Sequence, residues 1–363
     1  MIKLLVVDDS AFMRMAISKM VENDPRIEVV GDAHNGEIAV QMAQRLRPDV
    51  ITMDVEMPVV NGLQAVQRIM ESRPCPIIMV SSLTTQSSDM TVRALELGAV
   101  DFIAKSSSFV QLDIVKIEKA LQEKIYYWAK HKLTLNLKSP GKAQFQNLPE
   151  KPAVLTKRQP KKATDFVLIG VSTGGPRTVL ELLSSMGALS CPMVIAQHMP
   201  KEFTPGFAEH LAAATGLNVV EGYHGMPLVP GQIVIAPGGT DSQIRRPFEN
   251  HFALDVKAHE KSTIHPSADL LFQSAARACE SPVAVILTGM GDDGSLGAAE
   301  FSQRHYPVMA QDPATCVVDG MPGSAIASGS VSEVLDVDKI ARQLRLWCGE
   351  RQTFAPTQAI GVN

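Results

Sequence analysis

Lys3-Leu4-Leu5-Val6-Val7-Asp8-Asp9-Ser10 is an apolar run of strand length that stops at two adjacent carboxylates. A continuous apolar run, rather than an alternating one, suits a strand covered on both faces. Four more runs follow at 28–33, 50–54, 76–82 and 101–105. Between them apolar residues recur at helical spacing, as in Phe12-Met13-Ala16-Ile17-Met20 and Ile38-Ala39-Met42-Ala43-Leu46. Strands that alternate with amphipathic helices predict a doubly wound, five-stranded parallel α/β domain over residues 1–127, its last helix near 110–129.

In such a sheet the C-terminal strand ends share one edge, so the termini of these runs are neighbours. Asp8 and Asp9 end the first run, Asp54 the third, Ser81 the fourth and Lys105 the fifth. Three carboxylates at one edge repel one another unless a cation lies among them, and hard oxygen donors favour Mg²⁺. A carboxylate, a divalent ion, a hydroxyl and a lysine around one point suit phosphoryl transfer to the carboxylate. The bland alternative, strand-end acids that cap helices or face solvent, accounts poorly for five such groups on four strands.

These residues resemble the receiver domain of two-component response regulators, through VVDDS (6–10), MDVEMP (53–58), VSS (80–82) and DFIAK (101–105). The resemblance implies that Asp54 is the phospho-acceptor and that Asp9, Asp54 and the Glu56 carbonyl hold Mg²⁺, supported by Asp8. It implies phosphoryl contacts from Ser81 and Lys105 and a switching aromatic at Phe102. Receivers usually carry proline after this lysine; here Ser106 follows.

The whole chain has 363 residues, 45% hydrophobic and 20% charged, which is enough for two domains with separate cores. No apolar run reaches the roughly 18 residues of a membrane span, and the N-terminus meets Asp8 and Asp9 before any signal-peptide core forms. Five scattered cysteines without a CxxC pair argue against a disulfide framework or zinc cluster. These features lead to the expectation of a cytoplasmic protein, monomeric and without membrane insertion. The net charge of −4 is uneven: residues 130–162 carry nine Lys/Arg against Glu150, leaving −12 elsewhere. With Pro140, Pro149, Pro152 and Pro160 and no apolar period, residues 128–163 read as a solvated basic linker. The stretch lacks the interleaved aromatics of a nucleic-acid stacking platform.

Beyond the linker a second α/β domain with a mostly parallel sheet is expected over 164–352, followed by a tail at 353–363. Strands are read at 166–170, 193–198, 232–236, 283–289 and 307–311, helices at 177–186 and 268–278, and part of an antiparallel hairpin at 251–256. Gly170-Val171-Ser172-Thr173-Gly174 fits G-x-S-x-G, which exposes a serine on a tight strand-to-helix turn beside oxyanion-stabilising N–H groups. A glycine turn with an incidental serine is the plainer reading. His198 closes the next strand and is therefore a cheap partner base. Gly289-Met290-Gly291-Asp292-Asp293-Gly294 supplies an acid to orient that imidazole, and spacing does not choose between Asp292 and Asp293. The order Ser, His, Asp is not that of α/β-hydrolases.

GVSTGGP (170–176), AQHMP (196–200), IAPGG (235–239), PSADLLF (266–272), LTGMGDDG (287–294) and VVDGMPGSA (317–325) resemble the catalytic domain of the bacterial chemotaxis protein-glutamate methylesterases. The resemblance implies Ser172 as nucleophile, His198 as general base, Asp293 as orienting acid, and Thr173 and Met290 N–H groups as oxyanion hole. It implies methyl-ester hydrolysis and glutamine deamidation on chemoreceptors, with a histidine kinase as phosphodonor and no cofactor for hydrolysis. Pro313, Asp319 and Asp241 depart from the family pattern and are expected at the edge of the site. Two other classes compete: a DNA-binding response regulator and a receiver-linked, non-catalytic adaptor. The first lacks a helix-turn-helix pattern and a basic patch in its C-terminal half, and the second would need a broken triad.

Overall fold

The computed structural model describes residues 1–81, 85–105, 111–130, 158–160, 162–248, 251–258 and 264–349. The chain divides into two compact units. The first runs β1 (Ile2–Val7), α1 (Ala11–Glu22), β2 (Ile27–Ala33), α2 (Gly36–Leu46), β3 (Val50–Asp54), α3 (Gly62–Ser72), β4 (Ile77–Ser81), α4 (Thr85–Glu96), β5 (Asp101–Ala104) and α5 (Gln111–Lys130). Its five strands form a parallel sheet in the order β2-β1-β3-β4-β5. Every residue of β3 and β4 is buried, because helices cover both faces of the sheet. Leu5, Val7, Ile51, Met53, Ile77 and Met79 pack one face against Ala39, Ala43, Ala65, Val66 and Ile69 of α2 and α3.

Helix starts follow the local sequence. The Ser10 hydroxyl accepts the Met13 N–H ahead of α1, and Asn61 with Gln64 forms a capping box ahead of α3. Helix α5 continues through Lys130 with Trp128 fully buried, so the expected boundary at 127 falls inside a helix. Most of the expected linker, Ser106 and the tail at 353–363 lie outside the described residues.

The second unit contains β6 (Phe166–Val171), α6 (Gly175–Met186), β7 (Met193–Gln197), the end of α7 (Thr204–Thr215), whose first part to His210 belongs to the first unit, β8 (Val219–Glu221), β9 (Pro227–Leu228), β10 (Ile233–Ile235), β11 (Asp241–Phe248), β12 (His251–Lys257) and α8 (Ala268–Ala278). It ends with β13 (Pro282–Ile286), α9 (Ser295–Gln303), β14 (Val308–Gln311), α10 (Gly320–Ala327), β15 (Glu333–Leu335) and α11 (Val337–Cys348). Seven strands form a wholly parallel sheet, β15-β14-β13-β6-β7-β10-β8, and β11-β12-β9 forms a small antiparallel sheet. The strand expected at 283–289 stops at Ile286, because the chain beyond it turns into the glycine loop. Strand β6 is central. The chain leaves it toward β7 on one side and later returns to β13 on the other, which makes the C-terminal end of β6 a topological switch point, where open α/β sheets form a crevice. Phe166, Leu168, Val194, Ala284 and Ile286 of the sheet pack with Phe272 of α8 and Phe301 of α9.

Candidate functional site

In the first unit the acids at the ends of β1 and β3 converge. Asp8, Asp9 and Asp54 each offer a carboxylate oxygen within 4.8 Å of the others. Asp8 and Asp54 are buried and Asp9 is exposed. Lys105, just past β5, reaches both buried acids, with Nζ 2.9 Å from Asp8 Oδ2 and 2.8 Å from Asp54 Oδ1. Ser81 is buried at the end of β4, and its carbonyl accepts the Lys105 N–H at 2.7 Å. Glu56 stands exposed two residues beyond Asp54, and Phe102 is half-buried on β5.

Burial pushes the Asp54 carboxyl up to about 6; the Lys105 charge opposes this and the Asp8 charge adds to it. Burial would lower the Lys105 ammonium, but the two carboxylates outweigh it and raise it. The loop after Asp54 folds back so tightly that a Cβ on Gly62 would lie 2.1 Å from the Asp54 carbonyl oxygen. Arg14, on a helix face that no motif marks, contributes as well. Its Nη1 donates to the Asp8 and Asp9 carbonyls at 2.9 and 3.1 Å and so shapes the acidic turn.

In the second unit three adjacent strands bring the other candidates together. Val171 is opposite Gln197 in the β6–β7 register, so Ser172 and His198 are the next residues on neighbouring strands, roughly 5 Å apart in backbone. The His198 N–H donates to the Val171 carbonyl at 3.0 Å. Ser172 N donates to the Thr288 carbonyl beyond β13 at 3.0 Å, and Gln197 Nε2 donates to the Ser172 carbonyl at 3.0 Å. The turn that carries the serine is therefore pinned from both sides. Among the described residues no hydrogen bond joins the Ser172 hydroxyl to the His198 ring.

The ring is oriented from its other nitrogen: His198 Nε2 lies 2.8 Å from Asp293 Oδ2. Asp292, the alternative that spacing left open, is exposed. Asp293 accepts three further hydrogen bonds, from Ser267 Oγ at 3.1 Å, Ala268 N at 2.6 Å and Asp269 N at 3.0 Å. Burial pushes its carboxyl up, but the His198 hydrogen bond and charge and these N–H groups outweigh it and hold the group below the usual carboxylate range. An ionised Asp293 accepts from Nε2–H, which leaves Nδ1 as the basic nitrogen.

The 289–291 loop lies against the serine. A Cβ on Gly289 would sit 2.8 Å from Ser172 Cβ and 2.3 Å from Met321 Sδ. Met290 is half-buried, and its N–H engages no protein acceptor among the described residues. Thr173 is buried, with its carbonyl held by Thr288 Oγ1 at 3.0 Å. Pro313 begins a short 3₁₀ turn capped by Asp312, and Asp319 occupies the N-cap position of α10 without a side-chain cap. Asp241 is not at an edge. It is buried, accepts the Ser267 N–H at 2.8 Å and lies 3.1 Å from His265 Nδ1, directly behind the residues that hold Asp293. No local periodicity marks this support at 265–269. The PSADLLF motif was its only signal.

The sequence of the second unit matches the CheB methylesterase family over residues 167–344, and that of the first matches the response regulator receiver domain over 4–115. The protein-glutamate methylesterase/protein-glutamine glutaminase 1 of Oleidesulfovibrio alaskensis is 41% identical over 367 residues, covering 95% of this chain and 98% of its own. The chain belongs to this family. A second member, from Geobacillus kaustophilus, is 40% identical over 356 residues and covers 96% of this chain and 99% of its own. The crystal structure of the Thermotoga maritima CheB methylesterase catalytic domain is 35% identical, covers 50% of this chain and 97% of that one, and superposes with a TM-score of 0.48. The receiver domain brings phosphorylation-dependent regulation to the family member described here. Among the described residues no helix is long and apolar enough to cross a membrane.

Proposed function

We propose that this chain hydrolyses glutamate γ-methyl esters on chemoreceptors, and deamidates glutamines at similar positions, under control of phosphorylation at Asp54. The observation that carries the reading is the His198–Asp293 contact beside Ser172, at the ends of three adjacent strands. Ser172 Oγ attacks the ester carbonyl and its proton passes to His198 Nδ1, the nitrogen left basic by Asp293. The developing oxyanion is stabilised by the N–H groups of Thr173 and Met290. Collapse expels methanol, or ammonia from an amide, with the proton returned by His198; water then releases the acyl group from Ser172 by the same proton path. Ester and amide share the tetrahedral intermediate, so one site serves both.

The three clustered carboxylates of the receiver, two of them paired with Lys105, are a hard-oxygen donor set that fits Mg²⁺. Asp9, Asp54 and the Glu56 carbonyl would hold the ion, with Asp8 in support. When bound, it supplies charge neutralisation for the phosphoryl oxygens. Ser81 and Lys105 are placed in this reading as phosphoryl contacts, with a histidine kinase as donor. A substrate on the cytoplasmic helices of receptors makes the protein cytoplasmic. Incubation with methyl-labelled chemoreceptor tests the proposal: methanol release by the intact chain and none by Ser172→Ala supports it. Undiminished release by Ser172→Ala overturns it.

A further inference from the structure

Helix α9 begins after Gly294, which has no side chain with which to cap it. The missing cap comes from another helix. Asp269, in the first turn of α8, accepts the N–H of Gly297, in the first turn of α9, on its Oδ1 at 2.7 Å. In return Asp293, just ahead of α9, gives its carboxylate to the first N–H groups of α8, those of Ala268 and Asp269. Each helix N-terminus is thus capped by an acid from the leading segment of the other, and the two carboxyl groups lie against each other. Hydrolysis as proposed above assigns a role to only one of these acids.

We propose that Asp269 is a positioning residue for the hydrolytic reaction, holding the 290–294 loop through this crossed cap and adjusting the basicity of His198 through its charge. The inference rests on the reading of Ser172, His198 and Asp293 as the hydrolytic triad. Among the described residues the groups around Asp269 are few. Asp293 touches it and passes its effect to His198, the Gly294 and Gly297 N–H groups face it from α9, and Asp241 with His265 stand behind Ser267. Burial, with the Asp293 charge added and the Gly297 and Gly294 N–H groups opposing, pushes the Asp269 carboxyl up to about 6. The group therefore changes charge in the range where an imidazole base works.

An ionised Asp269 adds a second negative charge near the His198–Asp293 pair and favours the imidazolium. Asp269→Asn keeps an oxygen for the Gly297 N–H and removes that charge. The test is the pH profile of kcat/KM for full-length wild type and Asp269→Asn on methylated receptor. The expected result is a plateau roughly 3- to 10-fold lower, with the acid limb moved down by about half a pH unit. A limb that stays in place, whatever the plateau does, overturns the proposal. If Asp269→Asn does not fold cooperatively, NMR titration of the His198 ring in the wild type decides: an additional inflection near 6 supports the role and a single inflection overturns it. Activity that survives in Ser172→Ala removes the triad reading itself. An inactive Ser172→Ala with superimposed limbs removes only the role of Asp269.

Discussion

Asp293→Asn is the substitution whose consequences the structure specifies most fully. The carboxylate takes four donors, two on each oxygen: Ser267 Oγ and Asp269 N on Oδ1, and His198 Nε2 and Ala268 N on Oδ2. An amide offers one oxygen, so at least one buried backbone N–H, of Ala268 or Asp269, loses its acceptor. That loss costs about 1–3 kcal/mol of stability. An amide nitrogen turned toward His198 forces the ring to accept at Nε2, which puts its proton on Nδ1, the nitrogen the proposed mechanism needs as a base. An amide turned the other way keeps the tautomer but removes the counter-charge of the imidazolium. The expected loss in kcat is on the order of 10⁴. The depressed carboxyl also sets a pH signature. Its contribution to stability is present above the unfolded-state value and is lost as pH falls through the lower folded-state value, a dependence that Asp293→Asn removes. Methanol release and urea denaturation at pH 7 and in acid measure both effects. Turnover by Asp293→Asn within about tenfold of wild type, or a larger loss in Asp292→Asn, would show that Asp293 does not orient the imidazole.

Ser172→Ala and His198→Ala should each lower turnover by roughly 10⁴ to 10⁶ while leaving the unfolding transition in place, which denaturation curves and methanol release check together. Gly289→Ala drives a Cβ into Met321 Sδ and Ser172 Cβ. It should cost about 1–3 kcal/mol in stability and displace the serine; a fully active, fully stable variant contradicts the close approach. Asp54→Asn should abolish Mg²⁺-dependent, hydroxylamine-sensitive phosphoryl labelling, and labelling that survives would move the acceptor elsewhere. Asp54 is raised in the fold, so ionising it costs stability as pH climbs from the unfolded value near 4 to about 6. Asp54→Asn in Mg²⁺-free buffer should therefore be more stable than wild type by about 1–3 kcal/mol at pH 7 and lose that advantage near pH 4; a pH-independent difference contradicts this.

Much of this architecture was legible along the chain. Buried parallel strands are near-continuous apolar runs, so β1, β3 and β4 announced themselves, and their last residues carried the chemistry. Asp54, Lys105, Ser172 and His198 could be found because strand C-termini share an edge whatever the strand order. The order itself was a tertiary matter. That β13 returns beside β6, opposite β7, depends on packing between segments more than 100 residues apart, which no local pattern records. The same holds for the choice of Asp293 over Asp292. Adjacent acids in one glycine loop have equivalent local sequence, and only the N-terminus of α8, 24 to 26 residues earlier, separates the half-buried, hydrogen-bonded acid from the exposed one. Asp241 shows the limit most plainly. A polar residue after this glycine turn is expected at the edge of the site, yet the hydrogen-bonding demands of Ser267 and His265 draw it into the interior. Hydrophobic periodicity and strand-end chemistry are written locally. The pairing of buried polar groups depends on which chain segments meet, and only the folded structure decides that.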